Sequence, residues 1–223
     1  VNIAAALLTG GASRRMGRDK ASLILGAAGP GMPEALTPDP ETLAARTARL
    51  LRAVADPVIE VGGSVTDLPR VADRRPRAGP LAALADAAGA LRAESWSGPV
   101  LVVATDLPRL SVGLLAWLAG HPIAGALVPL DRTGRPQPLC ARYPWAALEL
   151  AEDLVAGGAT RMGALLEVVN PLFCPPSEWA GPAGGSDVLV DVDTPADLAD
   201  LIDGPPTGAG PSGAARRRGR RGG

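Results

Sequence analysis

A chain of 223 residues with 47% apolar side chains has room for one sizeable core and a tail. Its net charge is −1, but the last twenty residues hold five arginines and no acid; the remainder carries 17 basic and 23 acidic residues, a balance of −6 that argues against specific nucleic-acid binding by the folded part. The two cysteines, Cys140 and Cys174, make no CxxC pair and have no histidine nearby, and no segment approaches about 20 uninterrupted apolar residues, so disulfide scaffolds, zinc sites and membrane anchors are not expected and a reducing cytoplasmic setting is.

Ile3 to Thr9 is a continuous apolar run of about seven residues that meets Gly10-Gly11 at once. With no basic segment in front, it reads as a strand buried on both faces and not as a signal peptide. Gly26 to Pro38 is irregular and reads as a loop. Asp39-Pro40-Glu41 then supplies an N-cap, a first-turn proline and an early acid for a helix whose inner face is Leu43, Thr47, Leu50, Leu51 and Val54. Val58 to Val61 repeats the buried-strand pattern and ends in Gly62-Gly63, and Leu81, Leu84, Ala85, Ala88 and Leu91 form a second helical stripe. Val100 to Thr105 is a third apolar run and leads straight into Asp106.

Ser111 is placed to cap a short helix, followed by strands over Gly125 to Leu130 and Pro138 to Tyr143. A helix from Trp145 should stop at Gly157-Gly158, and Thr160 should cap another running through Val169. Val188 to Val192 reads as a last strand, and Thr194-Pro195-Ala196-Asp197 carries the start signals of a last helix. From Gly204 the composition collapses to Gly, Pro, Ser, Ala and Arg, with a single Thr207, which predicts one domain over 1–203 and a disordered tail over 204–223. Buried strands alternating with amphipathic helices specify an α/β, Rossmann-like three-layer sandwich with a mostly parallel sheet.

The first glycine turn carries the chemistry. In open α/β sheets ligands bind at the carboxyl edge, and glycines there let backbone N–H groups approach a phosphate with no Cβ in the way. The stretch LLTGGASRRMGRDKAS, from Leu7 to Ser22, puts Arg14, Arg15, Arg18 and Lys20 within seven residues. The spacing is neither Walker A, since Lys20 falls three residues after Gly17, nor GxGxxG, since Gly10 and Gly11 adjoin. Lys20 is the only lysine in a chain with 21 arginines. A lysine is a compact charge on a flexible stem, able to follow a phosphoryl oxygen where the wide arginine fork needs a different pocket.

LTGGASRRMGRDKA closely resembles the signature of the molybdenum cofactor guanylyltransferases and of the wider nucleotidyltransferases with a nucleotide-diphospho-sugar-transferase type of Rossmann-like fold. The likeness extends more weakly through later blocks that together cover most of Ile3 to Ile202. It implies nucleotide contacts at Leu8, Thr9, Gly10, Gly11, Lys20, Asp73 and Asp106, catalytic roles for Arg15, Lys20 and Asp106, and Mg²⁺ on Asp106. By its chemistry alone, Asp73 before Gly79-Pro80-Leu81 is a carboxylate able to accept from a base or ribose edge. Asp106-Leu107-Pro108 follows its strand directly, where a hard oxygen ligand could hold Mg²⁺ against phosphate oxygens or merely cap a helix.

Two departures from the family pattern stand out. Ala83 replaces a common glycine, and Asp191-Val192-Asp193-Thr194-Pro195 has aspartates where asparagines are usual; these could bind metal but would repel an anionic acceptor. Arg135-Pro136-Gln137-Pro138-Leu139 resembles the block on the acceptor side of the cleft, and Arg161 could offer a cation to the acceptor phosphate. His121, before Pro122, reads as a surface or packing residue.

The implied reaction is transfer of GMP from Mg²⁺-GTP to the phosphate of molybdopterin with release of pyrophosphate. Molybdoenzymes or molybdopterin-delivery proteins would be partners. Transfer from CTP, a sugar-phosphate acceptor, or a non-catalytic nucleotide-binding scaffold are the alternatives.

Overall fold

The computed structural model describes residues 2–10, 24–25, 41–76 and 78–191. The sheet is built around β1 (Ala4–Leu8), whose five side chains are all buried. Alanine is a weak strand former, but β1 is flanked by parallel β4 (Val58–Val61) and β6 (Val100–Ala104), and its small side chains leave room for helices on both faces. Alternation divides it cleanly: Ile3, Ala5 and Leu7 join one core layer, Ala4, Ala6 and Leu8 the other.

The first layer is covered by α1 (Leu43–Arg52), α3 (Val112–Gly120) and α6 (Pro176–Ala183), the second by α2 (Pro80–Ala93), α4 (Trp145–Ala156) and α5 (Met162–Val169). Each fully buried leucine in these layers, such as Leu51, Leu84 or Leu114, contributes about 1.5–3 kcal/mol by leaving water. With β5 (Arg70–Val71), β7 (Leu127–Pro129), β8 (Cys140–Tyr143) and β9 (Leu172–Cys174), the sheet has seven strands in the order β5-β4-β1-β6-β8-β7-β9. Only β8 runs against its neighbours. The expected three-layer, mostly parallel α/β sandwich is what forms. Among the described residues no helix is long and apolar enough to cross a membrane.

The α1 stripe is as expected: Leu43, Thr47, Leu50 and Leu51 are buried, and Val54 packs against them. Its start is different. Thr42 is the N-cap, its Oγ1 accepting from the Ala45 N–H at 3.1 Å, so Glu41 lies in β3 (Glu41–Thr42) and not in the first turn. β3 pairs antiparallel with β2 (Ile24–Leu25). Ser111 caps α3 as anticipated, accepting from Leu114 N–H. α5 starts at Met162 with Arg161 as cap residue, one position later than expected, and the Thr160 carbonyl packs against Gly79.

The strand expected over Val188 to Val192 does not form within the described residues. Ser186–Leu189 is a 3₁₀ turn that puts the adjacent Val188 and Leu189 into the same core layer, which the two-residue alternation of a strand forbids. β9 and α6 were not anticipated; Pro176, Gly181 and Pro182 disguise the helix, which is secured by the fully buried Trp179 donating Nε1–H to the Cys174 carbonyl at 3.2 Å. The readings over 26–38, Asp39-Pro40, Asp193 to Asp197, the boundary at 203 and the tail over 204–223 lie outside the described residues.

Arg142, in the middle of β8, is buried, and its guanidinium donates to the carbonyls of Leu118, His121 and Ile123, closing the carboxyl end of α3. Burial holds its pKa below the ordinary arginine value. His121 serves packing, its ring edge-on to Trp117 with centroids 5.2 Å apart and its Nδ1 accepting from Ile123 N–H. Arg142→Met leaves three carbonyls at the end of α3 without their donor and is expected to cost about 2–3 kcal/mol, a fall of about 5–10 °C in Tm by calorimetry, with turnover per folded molecule preserved.

Candidate functional site at the carboxyl edge

Because β1, β4, β5, β6 and β7 run the same way and β8 runs back, one sheet edge collects the ends of the first five and the approach to the sixth. That edge carries Thr9-Gly10, Gly62-Gly63, Asp73, Asp106 and the hairpin between β7 and β8. Sequence positions about 130 residues apart thus share one rim, at the place where such sheets bind ligands.

The Gly10 and Gly62 turns touch backbone to backbone. A Cβ on Gly62, which has φ +93°, would lie 2.7 Å from the Gly10 Cα, and one on Gly10 would lie 3.0 Å from the Gly62 Cα. Below them Thr9 donates its hydroxyl to Glu60 Oε1 at 2.7 Å and accepts from the Gly63 N–H at 2.9 Å. Glu60 is fully buried in β4, on the same face of the strand as Val58. It also accepts from Val65 N–H at 2.9 Å, Thr66 N–H at 3.0 Å and Thr66 Oγ1 at 2.5 Å. Burial by itself raises its pKa, but the hydrogen bonds from Thr66, Val65 and Thr9 together outweigh it and leave the carboxyl below the usual glutamate range.

Asp73 sits half-buried beyond β5 and turns back to accept from the Arg75 N–H at 2.9 Å. Its loop is anchored by Asp86 of α2, which is 3% exposed and accepts from the Arg74 N–H at 2.9 Å. Gly79, φ +92°, opens α2; a Cβ there would collide with the Thr160 carbonyl 2.5 Å away. This contact sets Thr160, and with it the exposed Arg161, against the start of α2, a juxtaposition the sequence did not disclose.

Asp106 emerges half-buried two residues past β6. The pairing of Val103 with Cys140, continued by Ala104 N–H donating to the Leu139 carbonyl, runs the chain before β8 alongside it. Burial pushes the Cys140 thiol up to about 12, and the charge of Asp106 adds to the effect, so this thiol stays neutral beside the site. In the hairpin, Asp131 accepts from Thr133 N–H and Oγ1, Arg135 N–H and Gln137 Nε2. Gln137 is therefore a brace of the hairpin, at 3.1 Å from Asp131. A cavity of about 150 Å³ lies between this hairpin and the 3₁₀ segment, lined by Asp131, Arg132, Arg135 and Asp191 among others. Asp187 joins the two sides through Arg132 at 3.3 Å and Arg109 at 3.6 Å.

The described structure thus brings Leu8, Thr9, Gly10, Asp73 and Asp106 to one rim; Gly11, Arg15 and Lys20 lie outside the described residues. Sequence reasoning missed Glu60, Asp86 and Asp131. A signal existed for the first two: an acid inside the apolar run VIEV, and an acid on the inner stripe of α2. Among the described residues no group of three or more His, Cys, Asp or Glu could hold a metal by itself. Asp106 fits the pattern of a magnesium ion held by one or two carboxylates and shared with phosphate oxygens.

Residues 5–169 match the family model of MobA-like NTP transferase domains. The probable molybdenum cofactor guanylyltransferase of Chloroflexus aggregans is 31% identical over 201 residues, which cover 86% of this chain and 89% of that protein. Its namesake in Mycobacterium avium is 33% identical over 211 residues, covering 90% and 95%. The crystal structure of molybdopterin-guanine dinucleotide biosynthesis protein A from Archaeoglobus fulgidus has a TM-score of 0.67 at 22% identity, over 90% of this chain and 97% of that one, a likeness of fold.

Proposed function

Because this chain belongs to the family of MobA-like NTP transferase domains, we propose that it joins GMP from GTP to the phosphate of molybdopterin and releases pyrophosphate. Nucleotidyl transfer comes with the family; donor, acceptor and residue roles are the finer reading. The observation that carries it is the meeting of the Thr9-Gly10 turn, Asp73 and Asp106 on one sheet edge.

An oxygen of the acceptor phosphate attacks the α-phosphorus as the bond to the bridging oxygen of the β-phosphate breaks, and that oxygen leaves with pyrophosphate. The acceptor is already an anion at neutral pH, so no general base is needed and the work is alignment and charge stabilisation. Backbone groups of Leu8, Thr9, Gly10 and Gly11 hold the nucleotide. Asp73 accepts from its base or ribose edge. Arg15 and Lys20 offset charge on the α-phosphate and the departing pyrophosphate, and Asp106 is the residue that would hold Mg²⁺. When bound, Mg²⁺ supplies charge neutralisation at phosphate oxygens. Arg161 and the hairpin over 131–137 are the groups that would meet the acceptor.

The test is pyrophosphate release by the purified chain with GTP, CTP, ATP or UTP, Mg²⁺ and molybdopterin. Release that needs both GTP and molybdopterin is expected. Preference for CTP overturns the donor, and release with a sugar phosphate in place of molybdopterin overturns the acceptor. Binding of GTP without turnover of any pair would favour a scaffold.

A further inference from the structure

We propose that Glu60 is a positioning residue for the nucleotide end of the site, setting the spacing of the Gly10 and Gly62-Gly63 turns by clamping Thr9 Oγ1 and the 63–66 loop in one hydrogen-bonded cluster. The inference rests on the nucleotidyltransferase reading and deepens it.

A buried carboxylate is a poor choice where packing alone is at stake, since an apolar side chain of similar size is often as stable or more so. The neighbouring inward position of β4 is in fact Val58. Glu60 differs in what it touches: its donors come from Thr9 at the end of β1 and from Val65 and Thr66 in the loop after β4, all at the carboxyl edge. The Thr9 hydroxyl is spent in this cluster and its N–H donates to the Val61 carbonyl at 3.1 Å, which leaves Thr9 its own carbonyl to offer a ligand. Gly63 has no room for a side chain, because a Cβ there would overlap Thr9 Oγ1 and come within 2.7 Å of Glu60 Oε1. The cluster thus fixes two glycine turns already in backbone contact at the carboxyl edge of the sheet.

Glutamine has nearly the same shape but only one acceptor oxygen. Whichever way its amide is turned, its NH₂ meets the backbone N–H of Val65 or of Thr66, neither of which can accept. The hydroxyls can rotate to adapt; the backbone donors cannot. Glu60→Gln therefore loosens the loop without emptying the core.

Steady-state kinetics of the full chain, with GTP and molybdopterin varied in turn, reads the effect. Glu60→Gln is expected to raise KM for GTP about tenfold, the scale of one lost hydrogen bond to a charged group, with KM for molybdopterin within about twofold of wild type. Thr66→Val, which removes one donor to Oε2, shifts the same KM by less. If both KM values move together, or only the melting temperature moves, Glu60 is a structural residue and the proposal is overturned while the transfer reading stands. Should Glu60→Gln fail to fold, Thr66→Val carries the same comparison. If the wild type releases no pyrophosphate with any nucleotide, the transfer reading fails, and calorimetric titration with Mg²⁺-GTP decides about Glu60. Weaker binding by the variant supports the proposal; equal binding, or none by the wild type, overturns it.

Discussion

Asp106→Asn is expected to lower kcat/KM for pyrophosphate release by on the order of 10²- to 10³-fold while leaving the melting temperature within a few degrees of wild type. The size follows from removing one preorganised charge-stabilising group from a phosphoryl-transfer site, about 2.7–4 kcal/mol of transition-state stabilisation. The small effect on folding follows from position: Asp106 is half-buried at a rim, and the strand before it is fixed by Val100, Leu101, Val102 and Val103, each fully buried. Asparagine keeps the shape and loses the charge, so added Mg²⁺ should restore part of the loss if metal affinity is what suffers. The assay is a Mg²⁺ titration of both proteins. Wild-type rates from the variant would reduce Asp106 to a helix-capping role.

Lys20 is expected to resist replacement even by arginine. Lys20→Ala should cost on the order of 10³-fold in kcat, and Lys20→Arg should recover less than about a tenth of the lost activity, because a planar fork with fixed donors cannot take the place of a compact ammonium that follows a phosphoryl oxygen. The sequence itself motivates the comparison, since with 21 arginines available one lysine stands in the glycine-rich stretch. Single-turnover rates at saturating GTP separate chemistry from binding. An arginine variant as fast as wild type would make position 20 a generic basic site.

The central strands were legible because they are buried on both faces: a run that is apolar throughout in Ala4–Leu8 and Val100–Ala104, and apolar but for Glu60 in Val58–Val61, and that leads into glycine or aspartate, leaves little else for them to be. The helices α1 and α2 were legible from their stripes, α3 from its Ser111 cap and α4 from the glycines that end it. What escaped notice is decided by tertiary contact. α6 forms despite Pro182 because Trp179 needs a place in the core. The turn over Ser186–Leu189 wins over a strand because Val188 and Leu189 both face inward and Asp187 is drawn to Arg109 and Arg132. In the site, the residues that carry a motif could be named beforehand, while the braces behind them could not. Asp131 holds the hairpin and Asp86 the Asp73 loop, but neither belongs to a short pattern, and their partners include backbone N–H groups, which every residue type but proline supplies. Gln137, the only glutamine in the chain, lies in the block that resembles the acceptor side of the cleft, and its amide donates to Asp131.

The braces also explain how a rim of loops can be rigid enough for chemistry. Glu60, Asp86 and Asp131 each turn a carboxylate toward backbone donors of the loop beside it, beneath Thr9, Asp73 and Gln137 respectively. Charge-assisted bonds of this kind hold geometry at positions where apolar packing runs out.

The central claim is that the bond broken is the one between the α- and β-phosphates and that the nucleotide is passed to a phosphate acceptor. Parallel reactions with [α-³²P]GTP and [γ-³²P]GTP, Mg²⁺ and molybdopterin test it most directly. The α label should appear in a molybdopterin-containing dinucleotide and the γ label in pyrophosphate, in equal amounts. Release of the γ label as inorganic phosphate, or recovery of the α label only as free GMP, would contradict it.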